Sequence, residues 1–261
     1  MEKHPALDVD HGFFATRQLD SVVEFRFKEN IFRHATNLTN RDLLQSYFDG
    51  IASRKEIKVI VINSAEAHTG CDEYVNFFRL FRDGWERNDI RRLCNVINQI
   101  ILTIMELNKL VIHVNSGKVI SLFMNIGLAC DYRVVADDTV FQNPYLDLGL
   151  LSKGGGAFFL TRLLGPSRAY EVLLLNREIT AEKALSLGIV DRVVPAAELE
   201  STALELARRF ADNPGRSLSG VKRLVQFSMR DIRDYLDYEN QEIFRIVDSP
   251  DFGSQVGCEG G

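Results

Sequence analysis

The chain has few cysteines and no long apolar runs. Its four cysteines, Cys71, Cys94, Cys130 and Cys258, lie far apart and form no CxxC pair, a spacing that favours neither a zinc knuckle nor a disulfide framework. No stretch approaches the roughly 20 uncharged apolar residues that a membrane span needs. The amino terminus also lacks the apolar segment of a secretion signal. We therefore expect a cytoplasmic protein with no membrane partner.

Blocks of one charge are absent as well. The 31 basic residues are scattered among 36 acidic ones, and the net charge is -5, which argues against nucleic acid as a partner. The HExxH spacing of a metal site and the G-x-S-x-G elbow of a serine hydrolase are missing. The triplet Gly154-Gly155-Gly156 is not part of a G-x-G-x-x-G or P-loop motif, so a nucleotide site is not indicated. We expect no metal and no redox cofactor.

What is present is apolar material for a large core, since 46% of the residues are hydrophobic. β-Branched apolar runs predict four strands, at Val22–Phe27, Val59–Ile62, Leu110–Val114 and Tyr132–Val135. Helices are expected between them: one capped by Thr39 or Asn40 and running to Ser53, one from Asp89 to about Asn108, and one over Leu122–Cys130. This alternation predicts an α/β fold with mainly parallel strands.

Helix follows helix after about residue 154, apart from a short VDRVVP strand. We divide the chain into an α/β core over residues 1–195 and a carboxy-terminal helical region over 196–261. The stretch Gly165–Pro195 reads as a helix near Ser167, a second helix that begins at Thr180 and stops at Gly188, and a strand.

The same stretch, GPSRAYEVLLLNREITAEKALSLGIVDRVVP, closely resembles the GxSRAxEllltgrxisAeeAlxlGlVdxvvp segment of the crotonase (enoyl-CoA hydratase/isomerase) family. Residues 109–131, KLVIHVNSGKVISLFMNIGLACD, are similar to its KPVIAAVNGxalGGGxELALACD segment. Thr69-Gly70-Cys71-Asp72 looks like its SAGaD loop, and Leu148-Gly149 with the glycine triplet looks like its LGixPgaGG segment. The resemblance implies a crotonase-like spiral of ββα units, an acyl-coenzyme A substrate, and a homotrimer or dimer of trimers.

The resemblance also implies an oxyanion hole. Family members stabilise the negative charge on a thioester oxygen with two backbone N–H groups, and the matching positions here are Cys71 and Leu122. Thr69, Gly70, Asp72 and Gly117 are the matching substrate-binding positions. Leu122 would lie at a helix start, where free N–H groups and the helix dipole favour an anion. Without a ligand, the loop at residues 69–72 also fits an ordinary strand-to-helix turn.

The sequence departs from the family where the chemistry is done. Ser121-Leu122-Phe123 replaces the GGG triplet, so the hole requires a φ at Leu122 that an L-residue tolerates. Asn125 and Tyr145 stand where hydratases carry two glutamates. Asparagine is no base, and tyrosine, with an ordinary pKa of about 10, is a weak one. Hydration of an enoyl-CoA is therefore disfavoured.

Other groups could move a proton. His68 precedes the TGCD turn and has a suitable ordinary pKa. His113 alternates with apolar residues and reads as a core or interface histidine. Asp147 reads as a solvated loop carboxylate. The aromatic and arginine mixture over residues 77–85 fits an amphipathic helix over the acyl pocket or a subunit face, and residues 231–247 fit a packing helix.

Two hypotheses follow. The first is a divergent enzyme that binds an acyl-CoA, stabilises an enolate or oxyanion, and uses Tyr145, Asn125 or His68 to orient water, substrate or a proton. Isomerisation, thioester hydrolysis and decarboxylation all remain open. The second is a catalytically silent acyl-CoA-binding or assembly subunit. It is motivated by the loss of both carboxylates and by the replacement of the family's GGG triplet with Ser121-Leu122-Phe123.

Overall fold

The computed structural model describes residues 6–28, 31–64, 72, 74–77, 87–249 and 252. Ten strands form two sheets within this part of the chain. The strands are β1 Val9–Asp10, β2 Phe14–Leu19, β3 Val22–Phe27, β4 Val59–Asn63, β5 Leu110–Asn115, β6 Lys118–Ile120, β7 Tyr132–Ala136, β8 Val140–Gln142, β9 Glu178–Thr180 and β10 Arg192–Val194.

The helices follow in the same chain order. They are α1 Ile31–Ala35, α2 Leu38–Ser53, α3 Arg87–Glu106, α4 Ser121–Ala129, α5 Gly156–Leu164, α6 Pro166–Tyr170, α7 Ala181–Ser186, α8 Leu199–Ala211, α9 Gly215–Gln226 and α10 Ile232–Val247. A π-helical turn follows α6 at Glu171–Leu175, and 3-10 turns lie at Ala196–Glu198 and Phe227–Met229. No helix in the described ranges is long and apolar enough to cross a bilayer.

The main sheet has the order β1-β2-β3-β4-β5-β7-β10. Its first three strands pair antiparallel, and the steps from β3 to β10 are all parallel. A helical segment therefore has to cross a face of the sheet between successive parallel strands. The predicted α/β fold with mainly parallel pairing is confirmed.

Both faces of the main sheet are covered. Alternate residues of β3 face opposite ways: Val23, Phe25 and Phe27 join the large core with α2, α3 and α4, whereas Val22 faces α8. Helix α8 presents a row of small residues to that second face, namely Ala203, Ala207 and Ala211. Small side chains at a spacing of four let the helix backbone lie close to the strands. The carboxy-terminal region thus begins with a helix packed on the sheet itself.

Predicted strands and helix ends agree closely with the structure, with a few corrections. The cap of α2 is Asn37, whose side chain accepts hydrogen bonds from the amides of Thr39 and Asn40, so the predicted caps were wrong. The described part of α3 begins at Arg87, two residues before the predicted Asp89. Thr180 caps α7 by accepting from the Lys183 amide, as predicted.

Candidate functional site

The candidate site lies at the amino end of α4. Strand β6 leads directly into this helix, and the cap residue Ile120 supplies no side-chain acceptor. The first four N–H groups of a helix have no intrahelical acceptor. The second residue of α4 is Leu122, which is buried and helical, with no positive φ. The conformation that the oxyanion hypothesis requires is therefore one that leucine adopts without strain.

The small sheet brings Tyr145 to the same end of α4. Strands β6 and β8 run parallel, with Ile120 opposite Gln142, so the chain leaves both strands at the same edge. Tyr145 follows three residues after Gln142 and is 1% exposed. A tight turn fixes its backbone, because its carbonyl accepts from the amides of Leu148 and Leu150.

Asn125 is fully buried in the middle of α4. Its Nδ2 donates to Ser152 Oγ at 3.0 Å and to the Lys153 carbonyl at 2.8 Å. Its Oδ1 has no hydrogen-bond partner within the described residues. The amide nitrogen thus holds the segment before α5 against α4, and the oxygen is the part that remains for a ligand or a water.

A series of aromatic contacts leads from α4 to the buried phenol. Phe123 lies beside Phe27 and Phe32, with ring centroids 6.4 and 6.3 Å apart. Phe32 meets Tyr74 edge-on at 5.1 Å, and Tyr74 meets Tyr145 edge-on at 5.6 Å. These contacts form an unbroken series from the residue after Leu122 to Tyr145, and we call these five residues the aromatic wall. Tyr145 is thus shielded from solvent and has an aromatic ring against one side.

A buried ion pair lies behind α4. Lys153 Nζ donates to Glu239 Oε2 at 2.5 Å and also to Asn98 Oδ1, and the lysine and glutamate side chains are only 3% and 4% exposed. The Glu239 carboxylate also accepts from the amides of Gly154, at 3.1 Å, and Gly155, at 2.9 Å.

Sequence reasoning missed this ion pair. A signal for it existed, because Glu239 stands in the buried stripe of α10 at the spacing of its apolar neighbours Ile232, Leu236, Ile243 and Val247. A charged residue in such a stripe indicates a buried partner.

The remaining predicted residues divide into three groups. His68, Thr69, Gly70 and Cys71 lie outside the described residues, as do residues 78–86 of the aromatic and arginine mixture. Asp72 is helical and exposed. Gly117 has a φ of +64° in the turn between β5 and β6, and its amide donates to Asp138 Oδ1. Their predicted roles in catalysis and substrate binding stay predictions.

The other two titratable candidates have partners of their own. His113 is fully buried in β5, between Ser64 Oγ and Asn115 Nδ2. Burial, with a smaller effect of Arg133, lowers its pKa from 6.5 to about 3. It is the core histidine that the alternation predicts. Asp147 forms an exposed ion pair with Arg177 at 2.6 Å, so it is a surface carboxylate.

Known proteins share this fold over most of the chain. An enoyl-CoA hydratase from Bacillus halodurans superposes with a TM-score of 0.78 at 15% identity, covering 94% of this chain and 99% of that one. A putative enoyl-CoA hydratase/isomerase from Acinetobacter baumannii has a TM-score of 0.75 at 22% identity, covering 95% and 98% of the two chains. At these identities the likeness concerns the fold alone.

Sequence relatives match over shorter segments. A trans-2-decenoyl-[acyl-carrier-protein] isomerase from Streptococcus mutans is 31% identical over 149 residues, 57% of each chain. A 4-chlorobenzoyl coenzyme A dehalogenase from an Arthrobacter species is 30% identical over 142 residues, 54% of this chain and 51% of the relative. The chain thus spans about half the length of these relatives. The model of the enoyl-CoA hydratase/isomerase family matches residues 21–249, and the chain therefore belongs to that family.

Proposed function

We propose that this protein binds an acyl-CoA thioester, polarises its carbonyl with the Leu122 amide, and catalyses decarboxylation of a malonyl-type thioester. One observation carries the proposal: both positions that match the hydratase glutamates are occupied by neutral side chains, Asn125 and Tyr145, beside a buried helix start. The Cys71 amide is the proposed second donor. Asp72 and Gly117 belong to the proposed substrate-binding positions.

Polarisation of the carbonyl needs only the backbone. A donor N–H in a dry site stabilises the negative charge that develops on a thioester oxygen far better than it would in water. The amino end of α4 adds its partial positive charge. Because the donor is a main-chain group, replacement of the glycine by Leu122 leaves it in place.

Decarboxylation is the reaction that needs the fewest catalytic side chains. Hydration, isomerisation and thioester hydrolysis each need a base for water or for an α-proton. In decarboxylation the C–C bond to the substrate carboxylate breaks, CO₂ leaves, and the electron pair moves through the α-carbon to the thioester oxygen. No base takes part. The aromatic wall excludes the water that would stabilise the substrate carboxylate, which favours the loss of CO₂. The reaction needs no metal or redox cofactor beyond the coenzyme A of the substrate.

The enolate must then gain a proton. Tyr145 is the proposed donor to the α-carbon, with the phenolate regaining a proton from solvent, so that the net change is substrate plus one proton to acyl-CoA plus CO₂. The Oδ1 atom of Asn125 is a proposed acceptor for a water or substrate N–H. His68 remains an alternative proton donor. The sequence relatives, a trans-2-decenoyl-[acyl-carrier-protein] isomerase and a 4-chlorobenzoyl coenzyme A dehalogenase, support an acyl group on a carrier as the substrate class.

A second candidate is a catalytically silent acyl-CoA-binding or assembly subunit. It is favoured by Phe123, which fills with a buried ring a position that is glycine in the family motif. In either case we propose a cytoplasmic homotrimer or dimer of trimers. Helix α9 and the turn after it expose Val221, Leu224, Val225 and Phe227 by 57–78%, and such apolar surface suits a subunit contact. Light scattering that gives a stable monomer at micromolar concentration would contradict the assembly.

The first experiment tests binding. Acyl-CoA thioesters should raise the melting temperature, since a ligand bound only by the folded state stabilises it by mass action. The panel contains saturated, unsaturated and malonyl-type thioesters, with free coenzyme A as the control. No shift at millimolar concentration for any thioester would end the acyl-CoA proposal.

The second experiment tests the reaction. Release of CO₂ from malonyl-CoA and methylmalonyl-CoA is measured beside hydration of crotonyl-CoA. Tyr145→Phe should lower the decarboxylation kcat by about 10²–10⁴-fold, whereas Tyr132→Phe, on the ring that packs against Phe210, should leave it unchanged. Thioester binding without decarboxylation would favour the silent subunit. Hydration of crotonyl-CoA at roughly hundreds of turnovers per second, the upper part of the usual range, would show that Asn125 and Tyr145 are not the catalytic positions.

A further inference from the structure

The Gly154-Gly155 turn is shaped around a carboxylate from a distant part of the chain. Both glycines have left-handed φ values, +90° and +76°, which L-residues with side chains avoid. This conformation aims both amides at Glu239, on α10, and each donates to the carboxylate. Lys153 balances its charge. An amide pair that could bind an anion from solvent is thus filled by a residue of the carboxy-terminal region.

The same turn packs against the side chain of Leu122, whose amide is the proposed donor to the thioester carbonyl. A Cβ built on Gly154 would lie 3.2 Å from Leu122 Cδ1 and 3.5 Å from Asn125 Cβ. The Lys153 carbonyl, one residue earlier, accepts from Asn125 Nδ2. The turn therefore touches the first and second turns of α4 through both packing and a hydrogen bond. A shift of the turn would shift Leu122 with it, because a close-packed interior transmits small displacements.

We propose that Glu239 is a positioning residue for the proposed thioester site: it holds the Gly154-Gly155 turn in the conformation that sets the orientation of the Leu122 amide. The inference rests on the proposed role of Leu122. Glu239 touches no substrate and acts through two glycine amides and one leucine side chain. The carboxy-terminal helix thereby becomes part of the machinery that polarises the carbonyl.

A carboxylate suits this task better than a neutral side chain. It has two oxygens, and Glu239 uses Oε2 for Lys153 and Gly154 and Oε1 for Gly155. Glutamine at 239 would keep one acceptor oxygen and turn a donor NH₂ toward a backbone N–H or toward the ammonium of Lys153. One amide of the turn, or the lysine, would lose its partner, and the turn would relax.

The test compares two carboxylates that both tie the carboxy-terminal region to the core. Glu239→Gln is the test variant, and Asp131→Asn is the matched control, because Asp131 forms the other buried lysine pair, with Lys222 at 2.8 Å, beyond the opposite end of α4. Glu239→Asp serves as a second test variant that keeps the charge and withdraws it from the glycine amides by one methylene. All variants are made in the full chain.

Two measurements separate positioning from folding. The first is the ratio of affinities for an acyl-CoA thioester and for the matching S-alkyl thioether, which has no carbonyl to polarise. The second is the carbonyl stretching frequency of the bound thioester, which falls when the oxygen accepts strong hydrogen bonds. We expect both Glu239 variants to lower the affinity ratio by roughly tenfold, which is less than the roughly 10²–10³-fold in kcat that complete loss of one such donor costs, because the donor is displaced and not removed. The carbonyl frequency should return toward that of the free thioester. Asp131→Asn should keep both values.

The outcomes are distinct. If the unmodified protein prefers neither ligand and shows no frequency change, the proposed role of Leu122 itself fails. If the unmodified protein polarises the carbonyl and a folded Glu239 variant does so equally well, the positioning role is overturned. A loss of the same size in Asp131→Asn would also overturn it, because the effect would then come from weakened packing of the carboxy-terminal region.

Discussion

The two ends of α4 are held by two buried lysine–carboxylate pairs of opposite polarity. Behind the amino half, the core supplies Lys153 and α10 supplies Glu239. Beyond the carboxyl end, the core supplies Asp131 and α9 supplies Lys222, whose ammonium also donates to the carbonyls of Ile104 and Lys109. The first pair is almost completely buried, whereas the Asp131 side chain is 15% exposed.

Each carboxy-terminal charge stands where a helix end suits its sign. Glu239 lies at the amino end of α5, where free amides favour an anion, and Lys222 lies at the carboxyl end of α3, where free carbonyls favour a cation. The carboxy-terminal helices are therefore joined to the core by polar contacts of defined geometry as well as by apolar stripes. The amino-end pair reaches the candidate site, and the carboxyl-end pair stabilises the scaffold.

The largest effect should come from breaking the amino-end pair. Glu239→Met leaves Lys153 as a buried charge and removes the acceptor of two glycine amides, and we expect a loss of about 3–5 kcal/mol in the free energy of unfolding. Denaturant unfolding measures it. The double variant Lys153→Met with Glu239→Met should lose less than the single one, because no charge is then left unpaired. Additive losses would show that the two residues do not interact.

The carboxyl-end pair should be weaker. Lys222→Met removes three hydrogen bonds from the ammonium, but Asp131 keeps its bond from the Val111 amide and some contact with solvent. We expect a loss of about 2–3 kcal/mol, measured in the same denaturant series. A loss larger than that of Glu239→Met would reverse the ranking of the two ends.

Low pH should also reduce the stability of the protein, through a buried histidine that packs against the carboxyl half of α4. His113 packs there, since a Cβ on Gly127 would lie 2.8 Å from His113 Nδ1. Its native pKa of about 3 lies below the unfolded value of about 6.5, so the unfolded state binds the proton first and stability falls as the pH falls below 6.5. We expect a loss of about 1.5–2 kcal/mol between pH 6.5 and 5 that His113→Gln lacks. Parallel pH profiles for the two proteins would contradict this.

The smallest effect should come from an exposed pair on the same α10 helix. Arg233 contacts Glu106 at 2.5 Å, but the two side chains are 58% and 64% exposed. Exposed pairs contribute about 0–1 kcal/mol, so Arg233→Met should change stability by less than about 0.5 kcal/mol. A loss near that of Lys222→Met would mean that burial is not what distinguishes these pairs.

The sequence predicted the parallel strands of the main sheet well because they are β-branched apolar runs. It did not predict β1, which has two residues, or β2, whose six residues include a single β-branched one. Val22–Phe27 and Leu110–Val114 match the structure within a residue. The small sheet was missed because β6, β8 and β9 have three residues each, too few to show a periodicity. The cap of α2 was misplaced because Asn37, Thr39 and Asn40 are all good caps, and only the backbone geometry selects among them.

The sequence predicted which chain segments form the candidate site. Family-like motifs located Leu122 and Tyr145, and the structure brings their segments to one edge of the small sheet. The buried charges were not predicted, since Lys153, Lys222 and Glu239 belong to residue types that almost always lie at the surface. Their burial depends on partners up to 118 residues away in the chain, which local pattern does not reveal.

The contact between Asn125 and Gly156 bears on attempts to convert this chain into a hydratase. A Cβ on Gly156 would lie 2.6 Å from Asn125 Nδ2, so the asparagine already fills its space. A glutamate is one methylene longer, and its carboxylate would face the Lys153 carbonyl where the amide now donates. Helix α4 and residues 152–156 would therefore have to be exchanged together. Glutamates at positions 125 and 145 alone should impair folding without giving hydratase activity.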